Sequence, residues 1–224
     1  MLVRACKTQN FGDTLNGELV RLITKKEPQI VNNSFKNLNN ETIYMVIGSV
    51  LGWADSNTIV WGSGFISDIK PTIPHPKKIC AVRGVLTRDL LIQNGYECPE
   101  IYGDPALVMP TFFEPNVDKL YDLSIIPHHV DKVLIPQIQK EYPKAHIIDI
   151  QQPIYNFITE VVQSKHVMSS ALHGLIIADA YKVSNEHVKF SNNVLGNDFK
   201  FRDYQETKKY INLFSLAKAC PFIK

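Results

Sequence analysis

Several short stretches of this 224-residue chain gather residue types able to bind an anion or move a proton. The clearest is Ser169-Ser-Ala-Leu-His-Gly174, which follows an apolar run, His166–Ser169, and opens a segment that continues to Tyr181. That order predicts the carboxyl end of a strand leading directly into a helix. Unpaired backbone N–H groups and the helix dipole favour a phosphate or carboxylate at such a place. Ser170, Leu172 and Gly174 would line it, and His173, in the first turn, would donate or shuttle a proton near neutral pH. The alternative for His173 is an ordinary packed or exposed histidine.

The stretch Ile79-Cys-Ala-Val-Arg-Gly-Val-Leu-Thr-Arg88 has the same order earlier in the chain, with Arg83 at a predicted strand end and Arg88 one turn into a predicted helix. An arginine projecting from a strand end can clamp a carboxylate or phosphate in a bidentate fork, and Arg83 is the candidate; Arg88 reads as a surface charge. In Ile125-Ile-Pro-His-His129 two histidines close another apolar run. Neighbouring strand residues point to opposite faces, so one ring is expected at a site, and His128 is the candidate acid or base. An exposed histidine pair is the alternative. Adjacent histidines chelate poorly and no third ligand has matching spacing, so no metal is expected.

Further candidates are weaker taken singly. In Asn10-Phe-Gly-Asp13, Asn10 and the amide of Gly12 would hold a ligand and Asp13 would cap a helix, or the stretch is simply a cap and turn. Trp61-Gly-Ser-Gly64 places Gly64 where backbone can approach a ligand, without a Walker lysine or a Gly-x-Gly-x-x-Gly pattern. Lys189, Lys200 and Arg202 alternate with aromatics in Val188–Ser191 and Phe199–Arg202, which reads as half-exposed strand or as a basic lip over a site.

The elements that must position these residues follow from periodicity. Apolar runs of buried-strand length alternate with amphipathic segments, which predicts an α/β fold. Strands are expected at Leu2–Cys6, Thr42–Val50, Thr58–Gly62, Lys78–Arg83, Leu123–Pro127, His146–Ile150 and His166–Ser169. Helices are expected after Asp13 and over Gly84–Asn94, Asp131–Tyr142, Ile154–Ser164 and Leu172–Tyr181, with a further amphipathic piece near Tyr210–Ala219. Three prolines between Gly103 and Pro115 mark a linker. The expected organisation is therefore two Rossmann-like domains, 1–114 and 115–224, facing a cleft at the carboxyl ends of their sheets, with the C-terminal tail packing back.

Composition narrows the class. With 24 basic and 22 acidic residues and no basic stripe, the chain has no footprint for a nucleic-acid duplex, so an anionic ligand must be met locally. No window approaches the ~20 apolar residues of a membrane span, and Met1–Lys7 lacks the apolar core of a signal peptide. The reading is a soluble, cytoplasmic protein. Four scattered cysteines, Cys6, Cys80, Cys98 and Cys220, are expected to be free thiols.

Taken together, Asn10-Phe-Gly-Asp-Thr-Leu-Asn16, Trp61-Gly-Ser-Gly64, Val82-Arg-Gly-Val-Leu-Thr-Arg88, Tyr102-Gly-Asp-Pro-Ala106, Ile126-Pro-His128 and Ser170-Ala-Leu-His-Gly174 stand in the order found in polysaccharide pyruvyl transferases. The chain resembles that family from about Asn10 to Arg202. The resemblance implies a two-domain fold like that of the GT-B glycosyltransferases. It also implies transfer of the enolpyruvyl unit of phosphoenolpyruvate to a sugar or glycan acceptor, a lipid-linked one at the inner face of a membrane being one option, with no cofactor. It carries the family's arginine before the first-domain helix onto Arg83 and its Leu-His-Gly histidine onto His173. The chain departs from the resemblance at Ala171, where family members have an arginine that meets the donor; Lys189, Lys200 and Arg202 are the cations available instead. Under this reading His173 is the acid and donor ligand, and His128 the base. The rival readings are a nucleotide-sugar glycosyltransferase of similar architecture and a catalytically silent sugar-phosphate-binding protein.

Overall fold

The computed structural model describes residues 1–223. The chain runs through β1 (Leu2–Arg4), α1 (Phe11–Thr24), β2 (Gln29–Val31), β3 (Ile43–Met45), β4 (Thr58–Trp61), β5 (Lys78–Ala81) and α2 (Val85–Gln93). It continues through β6 (Tyr121–Ile126), α3 (Ile135–Glu141), β7 (His146–Ile147), α4 (Ile154–Val162), β8 (Ser164–Ser169), α5 (Leu172–Ala180) and β9 (Ser184–His187), and closes with α6 (Phe199–Thr207) and α7 (Leu213–Lys218). These elements form two compact units: one comprises residues 1–8, 12–105 and the segment from Gly196 on, the other residues 9–11 and 106–195.

In the first unit β2, β1, β3, β4 and β5 form one sheet in that order, with every pairing parallel. Parallel strands covered on both faces read as continuous apolar runs, as Leu2-Val3 and Val60-Trp61 do. Met45, Leu51, Val60, Phe65, Val82, Leu91 and Phe199 pack into one core, so α6, from the end of the chain, belongs to the body of this unit. In the second unit β7, β6, β8 and β9 form a parallel sheet. Ile125, Ile138 and Ala145 pack beneath Leu123, Tyr142 and Met168 there. Both sheets are those of an α/β protein, as the periodicity predicts.

Several elements differ from expectation. The strand expected over Thr42–Val50 is paired only at Ile43–Met45, and the backbone turns away at Gly48, whose φ of 111° suits only glycine. Phe199–Arg202 is not a half-exposed strand: Phe199, Lys200, Phe201, Asp203, Tyr204 and Thr207 are the buried residues of α6, a helical set that a four-residue window reads as alternation. The edge strand β9, Ser-Asn-Glu-His, gives no apolar signal, and the edge strand β2, Gln-Ile-Val, is only three residues long. The proline-rich stretch after Asp104 is a 3-10 helix, Pro105–Thr111, that buries Ala106, Leu107 and Met109. The first unit ends at Pro105, and the chain returns to it at Gly196, whereas the sequence places a single boundary at 114/115. Among the described residues no helix is long and apolar enough to cross a membrane.

Candidate functional site

In the first unit, β5 leads through Val82, Arg83 and Gly84 into α2. Gly84 has no side chain to cap this helix, so the first-turn amides need acceptors from elsewhere. Helix α6 supplies them. The Val85 amide donates to Thr207 Oγ1 at 2.9 Å, and the Thr87 amide to Asp203 Oδ1 at 2.8 Å. Asp203 Oδ2 accepts from Thr87 Oγ1 at 2.7 Å and from Arg83 Nε at 2.9 Å. Arg83 Nη1 donates to Ser49 Oγ at 2.5 Å and Nη2 to the Phe65 carbonyl at 2.6 Å. Arg83 and Asp203 are both fully buried.

The anion at this helix N-terminus is thus the protein's own carboxylate, and all three nitrogens of Arg83 are engaged within the unit. Expected as a clamp projecting toward a ligand, Arg83 is instead the centre of an internal ion pair, because α6 returns from 120 residues later to occupy that position. Gly64 and Gly84 make the pair possible. A Cβ on Gly64 would stand 2.6 Å from Arg83 Cζ, and one on Gly84 would stand 2.2 Å from the Asp203 carbonyl oxygen. Gly64 also donates its amide to Gly48 O and accepts from the Leu51 amide, so its backbone holds a turn and not a ligand.

One turn before Asp203, Lys200 is 8% exposed. Burial, and then the charge of Arg83, push its ammonium down to about 8, while Asp198 and Asp13 act in the opposite direction. Asp13 sits in the first turn of α1 and accepts from Thr8 Oγ1. The carbonyl of Gly12 accepts from Asn16 Nδ2 at 3.0 Å. Asn16 also exchanges hydrogen bonds with Ile47, tying α1 to the exit of β3. Of the other basic residues, Arg202 is exposed and 4.0 Å from Asp68, and Arg88 pairs with Glu100 at 3.2 Å.

In the second unit, β6 and β8 are neighbours whose carboxyl ends carry the motifs. Beyond β8, the Ser170 amide donates to the Ile126 carbonyl, and its hydroxyl accepts from the His128 amide at 2.8 Å while donating to Asp131 Oδ2 at 2.7 Å. The other oxygen of Asp131 accepts from Ser191 Oγ. Asp131 is fully buried. Ser170, expected to face a substrate, is thereby committed to holding the turn after β6. Asp131, three residues beyond His128, is the residue that sequence reasoning treated only as a helix start. A carboxylate within one turn of a strand-end histidine was the available signal.

His128 and His129 do not point to opposite faces. Strand β6 ends at Ile126, and His128 caps a 3-10 turn, His129–Leu134, so the two rings lie 4.2 Å apart. Nδ1 of His128 accepts from the Val130 amide at 3.4 Å, which leaves the proton of the neutral ring on Nε2.

Helix α5 starts immediately after this cluster. Its N-cap is Ala171, 3% exposed, whose side chain offers no cap to the first turn, Leu172, His173 and Gly174; the Gly174 amide donates to the Ala171 carbonyl at 3.1 Å. Leu172 is buried and His173 half-buried. A Cβ on Gly174 would meet Ser169 Oγ at 2.3 Å, so this glycine allows the helix to sit on the end of β8. Asn10, half-buried, lies in the short segment 9–11 of the same unit, where the Phe11 amide donates to the Ile150 carbonyl. Lys189 is exposed, on the rim of an open cavity of about 360 Å³ floored by Ile138, Met168 and Phe190.

Comparison with known proteins follows this geometry. The family model described as polysaccharide pyruvyl transferase matches residues 32–185. The chain is 27% identical over 222 residues to the uncharacterized protein L143 of Acanthamoeba polyphaga mimivirus, covering 92% of this chain and 76% of that protein. It is 30% identical over 208 residues to the succinoglycan biosynthesis protein ExoV of Rhizobium meliloti (strain 1021), covering 88% of this chain and 61% of ExoV. No solved structure matches the chain.

Proposed function

This chain belongs to the polysaccharide pyruvyl transferase family, and we propose that it moves the enolpyruvyl unit of phosphoenolpyruvate onto two hydroxyls of a sugar acceptor, giving a pyruvate ketal and free phosphate. The observation that carries the reading is the contrast between two equivalent strand-to-helix junctions. The N-terminus of α2 is filled by Asp203 and Thr207, whereas α5 opens on Ala171, whose side chain offers no cap, and bears His173 in its first turn. An anionic donor is met at the second junction, where first-turn amides and the helix dipole favour a phosphate or carboxylate. Of the three cations available in place of an arginine at Ala171, Lys189 and Arg202 stand exposed and Lys200 is buried.

The reaction needs a proton on the methylene carbon, removal of one proton from each of two hydroxyls, and departure of phosphate. Protonating carbon requires an imidazolium, so His173 is assigned as acid and donor ligand and His128 as the base, the roles expected from sequence. Asp131 and Ser170 hold the His128 turn.

Thermal stability with phosphoenolpyruvate, and in parallel with nucleotide sugars, tests the reading. At ~100 times its dissociation constant the true donor adds ~2.7 kcal/mol of apparent stability. The gain is expected with phosphoenolpyruvate and is expected to vanish in His173→Ala, together with acceptor-dependent phosphate release. A gain only with a nucleotide sugar means a glycosyltransferase, and binding of phosphoenolpyruvate with no phosphate release from any glycan acceptor means a silent binding protein.

A further inference from the structure

The last described residues of the first unit present apolar side chains that the body of the unit does not cover. Tyr210 is 54% exposed, Leu213 50% and Phe214 77%. Tyr210 closes a 3-10 turn and, after the extended residues Ile211 and Asn212, Leu213 and Phe214 open α7, so three exposed apolar side chains fall within five residues. Isolated exposed hydrophobics need no explanation, but a contiguous group does. The group is also held rigidly. Leu216 of α7 is fully buried and its carbonyl accepts from Trp61 Nε1 at 2.9 Å, while Asn212 caps the helix through the Ser215 amide at 3.0 Å.

Lysines surround the apolar group. Lys208, Lys209 and Lys218 are exposed, Lys209 lies 4.9 Å over the Tyr210 ring, and Lys218 stands one turn beyond Phe214. Glu206 is the one acidic residue between Gln205 and Ile223. A tyrosine, a phenylalanine and a leucine ringed by lysines match the interface of an anionic bilayer, where amphipathic rings sit at headgroup level and each basic residue gains from the surface potential. Two copies meeting through this face about a two-fold axis would bring the lysines together, which disfavours self-association. Helix α7, six residues long, can rest in the headgroup region but cannot penetrate the hydrocarbon.

We propose that the segment Lys208–Lys218 is a contact surface for anionic lipid membranes. The inference is independent of the reaction assigned above. The full chain is tested by co-sedimentation with vesicles of phosphatidylcholine alone and of phosphatidylcholine mixed with phosphatidylglycerol. Binding is expected only to the mixed vesicles and is expected to weaken with salt. Each lysine contributes about fivefold, so Lys209→Gln with Lys218→Gln lowers the partition coefficient on the order of thirtyfold. Phe214→Ser also lowers it, with an unchanged unfolding midpoint, because the ring is 77% exposed. Binding to neither vesicle, or equally to both, overturns the proposal. So does a concentration-dependent dimer in sedimentation velocity that Phe214→Ser abolishes, since the face would then be covered by a second copy.

Discussion

The pair Arg83–Asp203 gives the sharpest prediction, because the sequence and the structure assign Arg83 different work. If it is a ligand clamp, replacing it removes turnover and leaves stability nearly unchanged. If it is the centre of the α2–α6 junction, its loss is a folding defect. In Asp203→Ala the guanidinium stays buried without a counter-charge, and both the amide and the hydroxyl of Thr87 lose their acceptor. Breaking a fully buried pair on one side costs about 3–5 kcal/mol. At roughly 2–4 °C per kcal/mol for a chain of this size, the midpoint should fall by on the order of 10 °C.

Arg83→Met should cost a similar amount, leaving Asp203 charged and buried. The double variant Arg83→Met, Asp203→Asn removes both charges and keeps an amide oxygen for the Thr87 N–H, so it should be more stable than the sum of the single losses implies, with a coupling of about 1–3 kcal/mol. Both tryptophans, Trp53 and Trp61, belong to the first unit, so tryptophan fluorescence in a urea titration reports the unit in question. An Arg83→Met protein within about 0.5 kcal/mol of the parent but without activity would refute the reasoning and return Arg83 to the ligand.

Two further perturbations follow. Lys200 has a folded-state value depressed to about 8 from 10.5, so below pH 8 the folded chain carries a buried charge at a penalty on the order of a few kcal/mol, relieved as pH rises from about 8 to 10.5. Lys200→Met should therefore stabilise the protein at pH 7, with the gain fading across that window in urea titrations; a pH-independent gain would contradict the buried charge. Gly84→Ala places a Cβ 2.2 Å from a backbone carbonyl that cannot swing aside, and should destabilise the first unit by about 1–3 kcal/mol or more by the same fluorescence measure, with neutrality counting against the tight α2–α6 contact.

Much of the framework was legible in the residues. Long-period apolar patterns located α1, α2, α4, α5 and the central strands, since a strand buried on both faces must be apolar throughout. The short parallel edges β2 and β9 were not legible: β2 spans only three residues, and β9, recruited by its neighbour's backbone, is polar throughout. The junction before α5 was readable as a strand end running into a helix start. Which side chains reach a helix start was not readable, because a cap can come from any distance along the chain, as Asp203 and Thr207 do at α2.

By itself, the sequence determined the α/β class, the order of the motifs and the family they spell, because these depend on local periodicity and residue type. Tertiary structure alone decided what fills the strand-to-helix junction before α2. Asp203 and Thr207 close it, Gly64 and Gly84 clear the space for Arg83 to meet Asp203, and Lys200 is buried because it shares α6 with that anchor. An ion pair between residues 120 positions apart has no local signature; it exists only once the chain end has folded back onto its first half.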